Sequence, residues 1–319
     1  MTSQSNKTLC SAFWKHTNVR PGDRVYPCCR FKFPVSKFDG DLTKVLESAE
    51  YNKLRELSTN GEKIQGCEKC YYEESIGHKS LRQEFNEQYD ADTVELKYLE
   101  IGIDNLCNMA CDGCNSEFST RWIAKEKSIY GKAQYGHINI SDVVSVPNSI
   151  EKILFLGGEP LLTDKHIDIL KLHKDAKNCT VIYNTNASII PNKLCLETWK
   201  EFKEIKFIVS IDGYGEVNEQ VRHGSIWKDT LKFLDWCKSN NYQLSINSVI
   251  HRNNMFSILQ LPDFVKKYTD QWYVNVLTYP NHLDINTHEK DVLESFRNEL
   301  EKVKIPNKEF ITNHLDYTN

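Results

Sequence analysis

The chain has 319 residues, of which 40% are hydrophobic and 26% are charged, a composition too apolar for a disordered protein. Its length suits one large α/β domain with a smaller module. The 40 basic and 44 acidic side chains give a net charge of -4, so no general basic surface favours nucleic acid or an anionic membrane.

The first predicted unit covers residues 1–94. Its polar start, Met1 to Thr8, lacks the apolar segment of a secretory signal, and no apolar run in the sequence could span a bilayer. We therefore expect a cytoplasmic protein with no membrane partner. A turn is predicted at Pro21-Gly22, a helix near Leu42–Leu57 and a helical connector over Ser75–Asp90. The region is too poor in regular strands to add a βα unit to a barrel, so we expect a small module that a bound metal stabilises.

From about Glu95 onward, strand-like runs alternate with segments of helical periodicity. The predicted strands are Leu96–Ile103, Lys152–Leu156, Thr180–Tyr183, Lys206–Ile211, Gln243–Ile250 and Trp272–Leu277. The predicted helices are Asn115–Tyr130, Asp164–Lys177, Lys193–Lys203, Ser225–Ser239, Ser257–Tyr268 and, on the surface, His288–Val303. Strict alternation implies parallel strands joined by right-handed crossovers. The pattern predicts a partial (β/α)6 barrel over residues 95–280 and a helical extension over 281–319, with an open doubly wound sheet as the alternative.

Eleven cysteines are many for a chain of this length. Because disulfides are rare in the cytoplasm, metal ligation or redox chemistry is the leading explanation. Eight of the cysteines form two groups along the chain. The first group is Cys10, Cys28, Cys29, Cys67 and Cys70, and the second is Cys107, Cys111 and Cys114. The remaining Cys179, Cys195 and Cys237 are scattered and are expected to be small buried hydrophobic residues.

The second group has the sequence Cys107-Asn-Met-Ala-Cys111-Asp-Gly-Cys114, with the spacing C-x3-C-x2-C. It follows a predicted strand and precedes a predicted helix, which is where α/β barrels place their chemistry. Iron–sulfur clusters are normally held by four cysteines, so a loop that offers three implies a cluster with one open iron and an external ligand. A zinc site is the alternative, although zinc favours paired C-x2-C knuckles and closed four-coordinate sites.

This loop resembles the signature of the radical S-adenosylmethionine superfamily. The resemblance implies an α/β fold, a TIM-like partial barrel, in which a [4Fe–4S] cluster on the three cysteines binds S-adenosylmethionine through its open iron. By the same resemblance, electron transfer would cleave the cofactor to methionine and a 5′-deoxyadenosyl radical that abstracts a hydrogen atom from a substrate. A reductant such as flavodoxin or ferredoxin is then expected as a partner.

Further segments resemble the family in the expected order over Leu96 to Leu277. The residues that the resemblance assigns to cofactor binding are Gly157, Gly158 and Glu159, then Asn184 and Asn186, then Ser210 and Asp212, and finally Arg222 and Asn247. It implies that the Gly-Gly-Glu segment contacts the amino group of S-adenosylmethionine, that Arg222 binds a carboxylate, and that Ser210 and Asp212 bind ribose hydroxyls or the methionyl carboxylate. The residue before the third cysteine is often aromatic in this family and packs near adenine, whereas here it is Gly113.

The N-terminal cysteines, with a glycine turn, a helix and Cys67-Glu-Lys-Cys70, resemble the auxiliary-cluster modules called SPASM and twitch. Those modules usually follow the barrel, but this segment precedes it. By this resemblance Cys10, Cys28, Cys67 and Cys70 bind a second [4Fe–4S] cluster, and Cys29 is a spare or exchanges roles with Cys28. A zinc knuckle with four cysteine ligands is the alternative.

These expectations combine into a radical S-adenosylmethionine oxidoreductase or modifying enzyme whose substrate is a peptide or an amino-acid-derived small molecule. One alternative is a non-catalytic iron–sulfur or zinc protein. Another is an RNA-modifying radical enzyme, which should show a basic stripe or an RNA-binding module, and neither is evident. The ten histidines, among them His251, form no metal-ligand pair in the sequence and are expected to be surface or satisfied residues.

Overall fold

Nine strands form a single sheet in the computed structural model, which describes residues 8–316. Residues 1–7, on which the expected lack of a secretory signal depends, lie outside the described residues, as do residues 317–319. The strands are β1 His16–Arg20, β2 Arg24–Tyr26, β3 Ser36–Lys37, β4 Tyr98–Gly102, β5 Lys152–Leu156, β6 Thr180–Thr185, β7 Glu204–Ser210, β8 Gln243–Ile250 and β9 Trp272–Val276.

Helices precede, connect and follow these strands. They are α1 Ala12–Lys15, α2 Ala49–Thr59, α3 Glu68–Ser75, α4 Leu81–Gln88, α5 Thr120–Tyr130, α6 Lys165–Leu172, α7 Lys193–Trp199, α8 Glu216–Val221, α9 Trp227–Ser239, α10 Met255–Ile258, α11 Pro262–Lys266, α12 Lys290–Lys302 and α13 Lys308–Asp316. Within residues 8–316 the structure has no helix with both the length and the apolar character needed to cross a bilayer.

The sheet order is β3-β2-β1-β4-β5-β6-β7-β8-β9, and every pairing from β1 through β4 to β9 is parallel. A doubly wound sheet reverses its strand order at a switch point. Here the spatial order of the parallel strands follows the chain, so right-handed crossovers place the connecting helices on one face. The predicted α/β partial barrel is therefore confirmed, and the doubly wound alternative is wrong.

The N-terminal region departs from its prediction. It contributes β1, which pairs in parallel with β4 from His16–Tyr98 to Val19–Ile101, and β2 and β3 then extend the sheet antiparallel. The expectation that this region is too poor in strands to add a βα unit to the barrel is therefore wrong. Of the five residues in β1 only Val19 is apolar, so the strand carries almost no hydrophobic signal.

Alternate residues of the strands divide between two faces of the sheet. One face carries fully buried apolar side chains, such as Leu99, Phe155 and Phe207, which join Ile167 of α6 and Phe233 of α9 in the main core. The opposite, inner face is markedly polar, with Glu100, Lys152, Asn184 and Ser210 on successive strands. The helices thus stabilise the barrel from outside, while its interior is left to polar groups.

A separate apolar cluster surrounds the N-terminal cysteines. It contains Phe13, Phe31, Leu54, Ile64 and Phe85, together with Cys10. The region therefore has its own small core beside the sheet, while the boundaries at residues 94 and 280 stay predictions.

Candidate functional site

The loop that carries Cys107, Cys111 and Cys114 leaves the carboxyl end of β4 and leads into α5. The last residue of α8 and the segment after it hold the loop by their backbone. The Ala110 N–H donates to the His223 carbonyl at 2.8 Å, and the Asp112 N–H donates to the Val221 carbonyl at 2.7 Å. Helix α5 begins only at Thr120, later than predicted, so the residues before it belong to the same loop. The cysteine loop is therefore a fixed part of the fold.

All three thiols line one cavity of about 440 Å³ at the carboxyl ends of the strands. Most of the residues predicted to bind the cofactor line the same cavity, namely Gly157, Gly158, Asn184, Asn186, Ser210, Asp212 and Arg222. The barrel thus brings together residues from five separate segments of the sequence. This convergence is what the carboxyl end of a parallel barrel provides.

The glycines after β5 allow close approach to the cysteine loop. A Cβ atom at Gly158 would lie 2.0 Å from the Leu106 carbonyl oxygen, and one at Gly157, where φ is +126°, would lie 2.6 Å from the Asp104 carbonyl oxygen. The Gly158 N–H donates to Asp104 at 3.0 Å, and the following N–H, of Glu159, donates to Leu106 at 2.8 Å. Only glycine fits this backbone contact, which sets the height of the cysteine loop above β5.

The carboxylate of Glu159 lies behind the cavity wall rather than in it. It accepts hydrogen bonds from the Thr185 hydroxyl at 2.8 Å, the Asn186 N–H at 2.7 Å and the Leu161 N–H at 3.1 Å. Burial raises the pKa of Glu159 to about 7, and these hydrogen bonds oppose that rise. The structure therefore gives this side chain contacts that position the end of β6.

The end of β6 presents two amide side chains to the cavity. Asn186 donates through Nδ2 to Asn108 Oδ1 at 2.9 Å, and the same nitrogen lies 3.9 Å from the Cys107 sulfur. Within residues 8–316, the buried Oδ1 atom of Asn184 has no hydrogen-bond partner. An unsatisfied buried acceptor costs free energy, so this atom marks a place for a polar ligand.

Asp212 and Arg222 form a buried pair in the cavity wall. Arg222 Nη1 donates to Asp212 Oδ2 at 2.6 Å, and Asp212 Oδ1 accepts from the Val249 N–H at 2.8 Å. Burial alone would lower the pKa of Arg222, but the nearby Cys111 and Asp212 raise it. The Arg222 Nε atom finds no hydrogen-bond partner among residues 8–316, so this cation still offers a donor.

Asn247 and His251 take positions that the sequence did not indicate. Asn247 does not line the cavity, because its Oδ1 accepts from Asn275 Nδ2 at 3.2 Å on the neighbouring strand. His251 is a satisfied residue, as expected, but it is also buried and lines the cavity, which was not expected. Its Nδ1 accepts from the Asn253 N–H at 3.3 Å, and burial lowers its pKa, so the neutral ring carries its proton on Nε2. The only sequence signal that His251 would line the cavity was its place directly after β8.

A larger side chain at position 113 would be strained and crowded. Gly113 has a φ of +74°, and a Cβ atom there would lie 3.0 Å from the Leu277 side chain. Leu277 and Phe118 both line the cavity. Apolar surface near the third cysteine therefore comes from these two side chains, which the sequence pattern did not identify.

Burial governs the acidity of the three loop thiols. It raises the pKa of Cys107 to about 11 and of Cys114 to about 12, and it also raises the pKa of Cys111. A bound metal would have to displace these protons, since the thiolate is the ligand. The Met109 N–H, at 3.5 Å from the Cys107 sulfur, and the Asn186 amide are donors that can stabilise a thiolate.

The loop thiols fit a cluster in donor type and number. Within residues 8–316, no three Cys, His, Asp or Glu side chains converge tightly enough to hold a single metal ion. A cubane cluster does not require the thiolates to converge on one point, because each thiolate binds a different iron at a different corner. The partnerless Asn184 and Arg222 atoms in the same cavity suit the polar external ligand that a three-cysteine cluster needs.

The four N-terminal cysteines predicted as a group line a second, narrow cavity. Cys10, Cys28, Cys67 and Cys70 meet there with Phe13, Tyr71, Leu81, Phe85, Arg30 and Arg82 among its other lining residues. Burial raises the pKa of both Cys10 and Cys67 to about 12, and it also raises the pKa of Cys28. The structure thus gathers four thiols from segments that are far apart in the sequence, under an aromatic cover.

Cys28 and Cys29 face different cavities although they are neighbours in the chain. Cys28 lines the narrow N-terminal cavity, whereas Cys29 lines the barrel cavity together with Asn18 and Arg20 of β1. The sequence did not distinguish the two cysteines and did not identify the β1 residues. The positions of the two cysteines depend on the turn that follows β2.

Comparisons with known proteins found relatives in sequence and similar solved structures. No protein-family model matches the chain. It is 28% identical over 193 residues to the radical SAM cyclopropyl synthase TigE of Paramaledivibacter caminithermalis, covering 54% of this chain and 40% of TigE. It is 24% identical over 172 residues to a GTP 3′,8-cyclase of Sulfurovum sp., covering 51% of this chain and 50% of the cyclase. These relatives support the radical SAM superfamily. The chain spans half or less of the length of either relative.

Similar solved structures include that of Streptococcus suis SuiB, with a TM-score of 0.45 and 16% identity over 84% of this chain and 60% of SuiB. Another is native anSMEcpe with bound AdoMet, with a TM-score of 0.43 and 18% identity over 65% of this chain and 60% of that protein.

Proposed function

We propose that this chain is a radical S-adenosylmethionine enzyme that acts on a peptide or an amino-acid-derived molecule. The observation that carries the proposal is the meeting of Cys107, Cys111 and Cys114 with the polar ends of four neighbouring strands in one cavity. These cysteines would hold a [4Fe–4S] cluster. When bound, the cluster and S-adenosylmethionine would supply the 5′-deoxyadenosyl radical that abstracts a hydrogen atom from the substrate.

The residues of the cavity divide the recognition of S-adenosylmethionine among them. Arg222 would donate to the methionyl carboxylate, because its Nε is free to do so while its Nη1 is held by Asp212. Both carboxylate oxygens of Asp212 are already engaged, so Ser210 is the better candidate for a direct contact with the ribose. Asn184 Oδ1 would accept from an ammonium or hydroxyl group.

The apolar part of the cofactor would find a matching wall. Leu277 and Phe118 line the cavity close to the cysteine loop, and Gly113 leaves room for Leu277. We propose that these two side chains pack against adenine, in place of the aromatic residue that the family often has beside its third cysteine.

A second [4Fe–4S] cluster is proposed on Cys10, Cys28, Cys67 and Cys70. Four thiols would complete its coordination, so this cluster would be closed to S-adenosylmethionine. The electron donor would be a flavodoxin or a ferredoxin. A cytoplasmic location agrees with the eleven cysteines, all of which are unpaired.

The test is the formation of 5′-deoxyadenosine from S-adenosylmethionine by anaerobically reconstituted, dithionite-reduced protein. The wild type is compared with Cys107→Ala/Cys111→Ala/Cys114→Ala, and with the control Cys179→Ala/Cys237→Ala, whose two cysteines line neither cysteine cavity. We expect product from the wild type and the control but none from the loop variant. Iron and sulfide loading without product, and without any effect of S-adenosylmethionine on the paramagnetic signal, would favour the non-catalytic alternative.

A further inference from the structure

A further cavity, of about 380 Å³ and separate from both cysteine cavities, lies on the inner face of the sheet. Its wall includes Glu100, Ile182 and Ile208, and the residues two further along the same strands, Gly102, Asn184 and Ser210, line the cysteine cavity. Residues two apart on a strand point to the same face and lie about 6–7 Å apart. The two cavities are therefore stacked along the inside of the barrel. We refer to the cavity lined by Glu100, Ile182 and Ile208 as the lower cavity.

The lower cavity contains an unusual density of charge for the inside of a parallel sheet. Lys152 on β5 and Lys206 on β7 line it, together with Glu100 on β4 and Glu84 on α4. Strands of parallel sheets normally carry apolar side chains on both faces, and charges are seldom buried without partners. Glu84 is exposed, so water solvates its carboxylate. The contacts of the other three charged residues decide which of them lacks a partner.

Two of these charges already have partners within the fold. The Glu100 carboxylate accepts from Asn18 Nδ2 at 2.5 Å and lies 3.6 Å from His16 Nε2. Burial acts to raise the pKa of Glu100, but these neighbours outweigh it and the pKa is lowered. Lys206 pairs with Glu204, with 2.9 Å between Nζ and Oε2.

Lys152 differs from both. It is half-buried, and within residues 8–316 its ammonium group forms neither an ion pair nor a hydrogen bond. Its Nζ lies 4.8 Å from the centroid of the Tyr98 ring. Burial and the like charge of Lys206 both lower the pKa of Lys152. The carboxylates of Glu100 and Glu151 oppose this shift, but neither forms an ion pair with Lys152, so the ammonium group can still accept an anionic partner.

We propose that the lower cavity is a substrate subsite in which Lys152, assisted by Lys206, binds an anionic group, either a carboxylate or a phosphate. This inference rests on the proposed function, because the part of the substrate that reacts would extend into the cysteine cavity above. The apolar side chains of Phe85, Ile182 and Ile208 offer contact to the body of the same ligand. The enzyme would thus hold its substrate by a charge at one end and present the other end for reaction.

The experiment is trace acetylation of the reconstituted protein, with the modification of each lysine measured by peptide mass spectrometry. The probes are N-acetylglutamate α-amide, which carries one carboxylate, and inorganic phosphate, with N-acetylglutamine amide as the neutral match. We expect one of the two anions to protect Lys152 and Lys206, the neutral probe to protect neither, and the exposed Lys193 to react equally throughout. Which anion protects distinguishes a carboxylate-bearing from a phosphate-bearing substrate.

Two variants separate a binding role from a structural one. Lys152→Arg keeps the charge and is expected to retain protection of Lys206. Lys152→Met keeps much of the bulk and is expected to require about tenfold more anion for the same protection, equivalent to ~1.4 kcal/mol. Equal labelling of Lys152 with and without either anion overturns the inference, as does equal protection of Lys193. Because labelling needs no turnover, this failure is distinct from a failure to form 5′-deoxyadenosine.

Discussion

The two groups of cysteines occupy opposite kinds of environment. Cys107, Cys111 and Cys114 lie within one short loop and face a roomy cavity that also contains unsatisfied polar atoms of Asn184 and Arg222. The four N-terminal cysteines come from three distant segments and close on a narrow cavity under Phe13, Tyr71 and Phe85. Three thiols with polar space beside them suit a cluster that binds a small molecule, whereas four thiols under an aromatic cover suit a closed one.

The largest expected effect comes from removing the closed group. Cys28→Ser should lose about four irons and much of the stability of the N-terminal region, because metal binding and folding are coupled in small modules of this kind. Its neighbour provides the matched control, since Cys29→Ser changes a thiol in the other cavity and should keep its iron. Iron analysis and thermal melts measure both effects. Iron loss from Cys29→Ser, with Cys28→Ser fully loaded, would reverse the assignment.

The buried pair in the open cavity should be the next most sensitive feature. Arg222→Gln leaves Asp212 buried without its cation, which typically costs about 3–5 kcal/mol of unfolding free energy. It should also weaken S-adenosylmethionine binding, because the donor proposed for the carboxylate is lost. Urea denaturation and calorimetric titration measure the two effects. Lys200→Gln, which breaks an exposed ion pair with Glu197, should change stability by less than about 1 kcal/mol.

A smaller effect is expected from the backbone contact beneath the cysteine loop. Gly158→Ala forces a Cβ atom against the Leu106 carbonyl, so the loop must shift, at a cost of about 1–3 kcal/mol. Gly136→Ala is the control, since nothing lies within 4 Å of a Cβ atom there. If the two variants unfold at the same denaturant concentration and bind S-adenosylmethionine equally, the contact does not position the loop.

The smallest effect is expected at the apolar wall of the open cavity. Leu277→Ala should weaken S-adenosylmethionine binding about fivefold, on the order of 1 kcal/mol, because it removes contact with adenine. The exposed Leu194 gives the control substitution Leu194→Ala. Unchanged affinity in Leu277→Ala would show that adenine lies elsewhere in the cavity.

The sequence predicted those parts of the molecule that have a local pattern. The six strands from residue 96 onward overlap the observed ones, because each combines β-branched or aromatic residues with a following helix. The C-x3-C-x2-C spacing likewise located the cysteine loop. The strand His16–Arg20 could not be predicted in this way, because it gains its stability from pairing with Tyr98–Gly102, which lies far along the chain.

The sequence also could not predict which cavity the side chains of neighbouring residues face. Cys28 and Cys29 are chemically identical, and only the turn after β2 sends their side chains into different cavities. Glu159 follows Gly157 and Gly158, which line the cavity, and the sequence grouped it with them. Its carboxylate nevertheless points towards the end of β6. Such side-chain directions depend on tertiary contacts that no local pattern encodes.

The central claim is that S-adenosylmethionine acts at the loop cluster and not at the N-terminal one. Electron paramagnetic resonance of dithionite-reduced protein, with and without S-adenosylmethionine, tests it most directly. The signal of the wild type should change on addition, whereas Cys107→Ala/Cys111→Ala/Cys114→Ala should retain about four irons and a signal that S-adenosylmethionine leaves unaltered. A signal that still responds in this variant would contradict the account, because the open site would then lie among the N-terminal cysteines.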